Sequence, residues 1–105
     1  MKYEVIRTET ADEGIRKIIL YIAQNFGNMV ALEKLDVLEK SIFALGNDPY
    51  IGTDPRYLVL KRKGYKVLIL EKDLVFYKID EKYKKVIIYA VVDQRQDYLN
   101  IVRGL

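Results

Sequence analysis

Two apolar stripes of helical spacing, separated only by Gly27-Asn28, constrain this chain more than any other feature. The first runs through Ala11, Ile15, Ile18, Ile19, Ile22, Ala23 and Phe26, the recurrence that one buried helix face requires, while Arg16, Lys17 and Gln24 fall on the wet side. The second runs through Ala31, Leu32, Leu35, Leu38, Ile42 and Leu45, and closes at Gly46 with Pro49 beyond. So short a link forces the two helices to fold back on each other. At the start of the first, Thr10-Ala11-Asp12-Glu13 matches a capping box.

Met1 to Thr8 alternates loosely, with Tyr3, Val5 and Arg7 on one side and Glu4 and Ile6 on the other, as a short strand does. Asn47 to Pro55 holds Asn-Asp-Pro, Gly52 and Asp54-Pro55, a composition that predicts a loop. Beyond it the chain changes character. Val67 to Glu71, Leu74 to Ile79 and Val86 to Val92 are rich in β-branched and aromatic residues, with polar turns at Lys72-Asp73 and Asp80 to Lys85. Tyr57 to Lys63 reads equally as strand or helical turn. The expected fold is α+β: an N-terminal strand, a helical hairpin, then a three-stranded antiparallel meander, with 105 residues allowing one domain over 1–105.

Simple alternation puts Val75, Tyr77 and Ile79 opposite Leu74 and Phe76, and Ile87, Tyr89 and Val91 opposite Val86, Ile88, Ala90 and Val92. Both faces of the sheet are therefore apolar, and two helices cover only one. The other calls for the segment Leu99 to Leu105, a twin subunit or another protein, because monomers seldom leave large apolar patches bare.

Chemistry is restricted by what is missing. The chain has no histidine and no cysteine, which removes imidazole bases, thiol nucleophiles and nearly every zinc constellation. No metal or cofactor is expected. A net charge of +3 permits a nucleic-acid or acidic-protein partner without demanding one. The start lacks the apolar core of a signal peptide and no run is long enough to span a bilayer, so a cytoplasmic location and no membrane partner are expected.

Several short stretches, in order, resemble the RelE/ParE superfamily of toxins from bacterial type II toxin–antitoxin (plasmid stabilisation) modules. They are Ala11-Asp12-Glu13 through Ile18 to Ala23, then Ser41 to Leu45, Asp48-Pro49-Tyr50 and Lys63-Gly64-Tyr65-Lys66, followed by Leu74 to Glu81 and Val91 to Asp97. The resemblance implies a growth-arresting toxin silenced by a cognate antitoxin. It offers two targets: RelE-like members cut messenger RNA on the ribosome, and ParE-like members bind DNA gyrase. Metal-free RNA cleavage needs a base, cations against developing charge and an acid for the leaving oxygen, roles open to Lys, Arg and Tyr.

The resemblance places Leu74 where RelE-like toxins carry an arginine, and Asp73 where they carry a tyrosine. Leucine cannot clamp a phosphate, and an aspartate would repel one. Lys61, Lys63 and Lys66 match the RelE-like basic residues loosely, Arg95 matches a late family arginine, and Tyr98 falls near an expected catalytic tyrosine. So partial a set leans towards the ParE-like branch, with Arg95 and Tyr98 as catalytic candidates under the ribonuclease reading alone.

Arg56, Lys61, Arg62, Lys63 and Lys66, with Tyr57 and Tyr65 interleaved, can hold phosphates or a protein target, or simply keep a surface wet. Lys82, Lys84 and Lys85 flank a hairpin turn, where lysines also discourage edge pairing. Arg95 stands between Asp93 and Asp97, so an ion pair at the strand end competes with a functional role. Tyr98 can equally pack its ring on the sheet. Val75, Tyr77, Tyr89 and Val91 are the expected contacts of the antitoxin on the surplus apolar face.

Overall fold

The computed structural model describes residues 2–105. In chain order it has strand β1 (Glu4–Arg7), helices α1 (Glu9–Phe26) and α2 (Asn28–Phe43), short 3-10 turns at Ala44–Gly46 and Pro49–Ile51, helix α3 (Leu58–Arg62), strands β2 (Lys66–Ile69), β3 (Asp73–Asp80) and β4 (Lys85–Asp93), and helix α4 (Leu99–Arg103). The strands form one sheet in the order β1-β4-β3-β2. β2, β3 and β4 make the expected antiparallel meander, and β1 adds a parallel edge against β4, with Glu4 opposite Lys85 and Arg7 opposite Ile88.

The helical hairpin turns at Gly27, whose φ of 93° lies where glycine is at ease. Its start differs from the expected capping box. Thr8, and not Thr10, is the N-cap, and its hydroxyl accepts from the Ala11 amide at 3.2 Å. The same hydroxyl donates to the Ile88 carbonyl at 2.9 Å, so the threonine that can also reach β4 takes the cap. Gly14 brings α1 close to β4: a Cβ there would collide with the Val91 carbonyl oxygen.

One core lies between the hairpin and the sheet, where Ile15, Ile18, Leu38 and Ile42 meet Val75, Tyr77, Val86, Ile88 and Val91. The Tyr77 hydroxyl donates to the Pro49 carbonyl at 2.7 Å and accepts from the Gly52 amide at 3.1 Å, fastening the predicted loop to the sheet.

A β-bulge changes which residues of β4 face this core. Tyr77 pairs with Ile88 but Phe76 with Ala90, leaving Tyr89 as the extra residue. Beyond it the alternation inverts. Val91 joins Val86 and Ile88 under the hairpin, while Tyr89, Ala90 and Val92 turn to the opposite face.

That opposite face is covered by the chain itself. The ambiguous stretch 57–63 is helical over Leu58–Arg62, and its Leu60 is wholly buried, a burial that contributes about 2 kcal/mol. From the other side α4 contributes Val102, flanked by Ile101 and Leu105, and together they close over Tyr65, Val67, Phe76, Ala90 and Val92. Of the three covers open to the sequence, the C-terminal segment lies on this face, with α3 beside it.

Val75, Tyr77 and Val91 were expected on an antitoxin-binding face, and the structure corrects this. Each is at most 1% exposed under the hairpin, so none offers a surface to a companion chain. Tyr89 is half-buried on the other face, its ring edge-on to Tyr65 at 5.3 Å. About half of the exposed large apolar side chains lie on the hairpin, among them Phe26 at 63% and Leu32 at 64%, both assigned to buried stripes by spacing alone, with Leu20, Met29 and Phe43; Ile51, Leu58, Val59 and Ile69 are exposed elsewhere.

Candidate functional site

A groove of about 500 Å3 runs between the helical hairpin and the β2–β3 turn and reaches the end of β4. Its apolar wall is Tyr21 and Phe26 of α1 with Val30 and Val37 of α2, each at least 45% exposed. Val30 and Val37 are two helical turns apart, outside the core stripe, and that spacing was the signal in the sequence for a second apolar face.

Charge lines the other wall. Asp73, expected in a polar turn, is the first residue of β3 and only 1% exposed. Its Oδ2 forms an ion pair with the Lys34 ammonium, and neither carboxylate oxygen accepts a hydrogen bond among the described residues. A buried carboxylate is tolerable only with such a countercharge. Asp73 therefore does not present the free negative charge its family position suggested. Lys34, half-buried on α2, was missed in the sequence because one lysine on a helix looks solvated.

Arg95 sits at the end of this groove, 61% exposed, in a two-pronged grip on Asp93: Nη2 to Oδ2 at 2.8 Å and Nε to Oδ1 at 3.1 Å. The Arg95 amide adds a bond to Oδ1 at 2.7 Å. Arg95 holds the Asp93 carboxyl below its usual range, chiefly through the side-chain hydrogen bond, and Asp93 raises the guanidinium in return. Asp97 takes no part. Its Oδ1 accepts instead from the Leu99 amide at the start of α4.

Tyr98 faces away from Arg95. Its ring lies 6.3 Å from that of Phe76, tilted by 48°, beside a smaller cleft of about 280 Å3 lined by Arg56, Tyr57, Leu74 and Gln94. Leu74 leaves its part of the wall apolar. The two catalytic candidates thus open onto opposite sides of the sheet.

The basic residues divide as well. Lys61 and Lys66 both lean on Asp54, at 3.5 and 4.0 Å, while Arg56, Arg62 and Lys63 are exposed without an ion pair among the described residues. Sequence reasoning also missed Glu81, whose carboxylate accepts from the hydroxyls of Tyr3 and, at 2.6 Å, Tyr50. No group of three or more acidic side chains that could hold a metal ion occurs among the described residues, and no described helix is long and apolar enough to cross a membrane.

The hairpin packed on a mixed sheet is the architecture of the RelE/ParE toxins. A chain of the chromosomal ParDE toxin–antitoxin system from P. aeruginosa superposes with a TM-score of 0.73 at 16% identity, over 88% of this chain and 96% of that one. A chain of the RelBE2 toxin–antitoxin complex from Mycobacterium tuberculosis gives 0.66 at 20% identity, over 91% and 95%. A mutant of the E. coli toxin RelE in its free state gives 0.61 at 17% identity, over 100% and 99%. At such identities the likeness concerns the fold. No curated protein sequence matches the chain. The sequence profile of the ParE toxin of type II toxin–antitoxin systems, parDE, matches residues 5–98. The chain belongs to this family of toxins.

Proposed function

We propose that this toxin arrests growth by binding a protein target, DNA gyrase, and that a cognate antitoxin silences it by covering the groove of Tyr21, Phe26, Val30 and Val37. The observation that carries the first half is the separation of Arg95 from Tyr98. RNA cleavage needs cation and proton donor around one phosphate, and here the arginine is gripped by Asp93 on one side of the sheet while the tyrosine packs on Phe76 on the other. A binding toxin needs no such convergence. Gyrase itself enters through the ParE family.

The second half follows from the apolar wall, where an amphipathic helical segment gains burial without the toxin rearranging. Purified toxin added to gyrase supercoiling and to translating ribosomes tests the target: gyrase should be inhibited and messenger RNA left whole. Cleaved messenger RNA with active gyrase would overturn the reading.

One observation favours ribosome-dependent messenger-RNA cleavage as the second reading. Arg56 and Tyr98 do line one cleft, together with Tyr57.

A further inference from the structure

A continuous chain of contacts runs along one edge of the molecule, away from the apolar groove. Lys61 and Lys66 share Asp54. Lys66 then lies over the Tyr50 ring at 5.8 Å, the Tyr50 hydroxyl donates to Glu81, and Lys84 reaches the same carboxylate at 3.5 Å. These contacts join α3, the start of β2, the turn at Pro49–Ile51 and the β3–β4 turn. Arg62 and Lys63 flank Lys61, and Lys82 and Lys85 flank Lys84.

Counting only Asp54 and the segments 61–66 and 80–85, positive charges exceed negative ones by four, on a chain whose net charge is +3. Everything else together is slightly negative. Asp54 and Glu81 hold Lys61, Lys66 and Lys84, and Asp80 is taken up by the Tyr83 amide, which leaves a row of cations on ordered elements. Such a row matches the regular charge of a phosphate backbone.

The tyrosines decide between double and single strands. Single-strand binding uses open aromatic faces as stacking platforms. Tyr3 and Tyr65 are 8% and 4% exposed. Tyr50 and Tyr83 are exposed, but Lys66 and Lys82 lie over their rings at 5.8 and 5.2 Å. The rings serve to hold ammonium groups in place. We propose that this edge docks the toxin, without sequence preference, on the phosphate backbone of double-stranded DNA. The proposal is independent of the gyrase reading, since binding is to DNA alone.

The test titrates the full chain against a short labelled DNA duplex of mixed sequence, by fluorescence anisotropy, as NaCl is raised. The logarithm of affinity should fall against that of salt with a slope of about −3 to −4, the release expected for roughly four phosphates. Arg62→Glu combined with Lys82→Glu removes one cation from each end of the row, neither of them ion-paired among the described residues, so folding is not at stake. Affinity should drop at least about tenfold and the slope should shrink by about two. A charge-matched control, Arg16→Glu with Lys17→Glu on α1, should bind within about twofold of the parent.

Four results would overturn the proposal: no duplex binding at low salt, equal loss in the control, tighter binding of the single strand, or displacement of the duplex by polyglutamate at equal charge. The last would make an acidic protein the occupant of this edge.

Discussion

Arg95 and Tyr98 are three residues apart in the chain and open onto opposite sides of the sheet, the arginine into the groove under the helical hairpin and the tyrosine into the cleft beside Phe76. The reversal is made over the turn from Asp93 to Asp97, where Asp93 grips Arg95 and Asp97 accepts from the Leu99 amide at the start of α4. Removing a working general acid typically costs about 10²- to 10⁴-fold in rate. Under the gyrase reading, Arg95→Ala and Tyr98→Phe should each leave growth arrest after induction within about twofold of the parent. Loss of arrest in both, with folding intact, would restore the ribonuclease.

Antitoxin binding and toxicity should separate at the hairpin. Val30→Asp and Val37→Asp place charges on an exposed apolar wall, where little folding energy is at stake. Each should weaken capture of the antitoxin by at least about tenfold in calorimetry, since burying an unpaired carboxylate costs several kcal/mol. Arrest by the free toxin should persist. If both variants bind the antitoxin as the parent does, the groove is not its site.

The close approach of α1 to β4 predicts a large effect from a small change. Gly14→Ala puts a methyl against the Val91 carbonyl, a backbone atom that cannot swing aside. Overpacking of this kind costs about 1–3 kcal/mol, enough to shift the urea midpoint clearly in so small a domain. An unchanged midpoint would mean that α1 sits further from the sheet.

How far the sequence disclosed this architecture depends on element length. The helices of the hairpin repeat their apolar positions over several turns, so the pattern is over-determined and the break at Gly27 falls where it should. Helices α3 and α4 have five residues each, too few to establish a period, and the cover they give the second face was visible only as a need for some cover. A single bulge at Tyr89 inverts the facing of Val91, and nothing in the local composition marks it. Tyr77 shows another limit: the strand pattern allows either face, and only the loop carbonyl of Pro49 reveals that its hydroxyl has a buried partner. The candidate site was less legible still, because Lys34 and Asp73 are far apart in sequence and meet only when α2 packs on β3.

That pair carries its own prediction. Asp73 is almost fully buried with Lys34 as its countercharge, so Lys34→Ala strands a carboxylate in the core. Allowing for the partial exposure of Lys34, the loss should be about 2 kcal/mol or more in chemical denaturation. The double change Lys34→Met with Asp73→Asn, which removes both charges and keeps the size of the buried side chain, should recover most of it. Additive loss in the double variant would show that the charges stabilise the fold beyond cancelling each other.

Glu81 ties three separate segments together, accepting from Tyr3 near the N-terminus and from Tyr50 in the loop while sitting in the β3–β4 turn itself. These bonds, Tyr3 first, hold the Glu81 carboxyl below its ordinary value of 4.5. They push the Tyr50 phenol, again mainly through its bond to Glu81, up to about 12. The two shifts work in opposite pH windows. For Glu81 the stabilisation is complete above the ordinary carboxylate value and is lost as pH falls through the lowered one. For Tyr50 it is complete below 10.0 and is lost as pH rises towards 12. A spectrophotometric phenolate titration should therefore show Tyr50 ionising late, and Glu81→Gln should bring that step back towards 10.0. The same variant should flatten the acid limb of the stability curve. If the late step survives the substitution, the carboxylate is not what holds that phenol neutral.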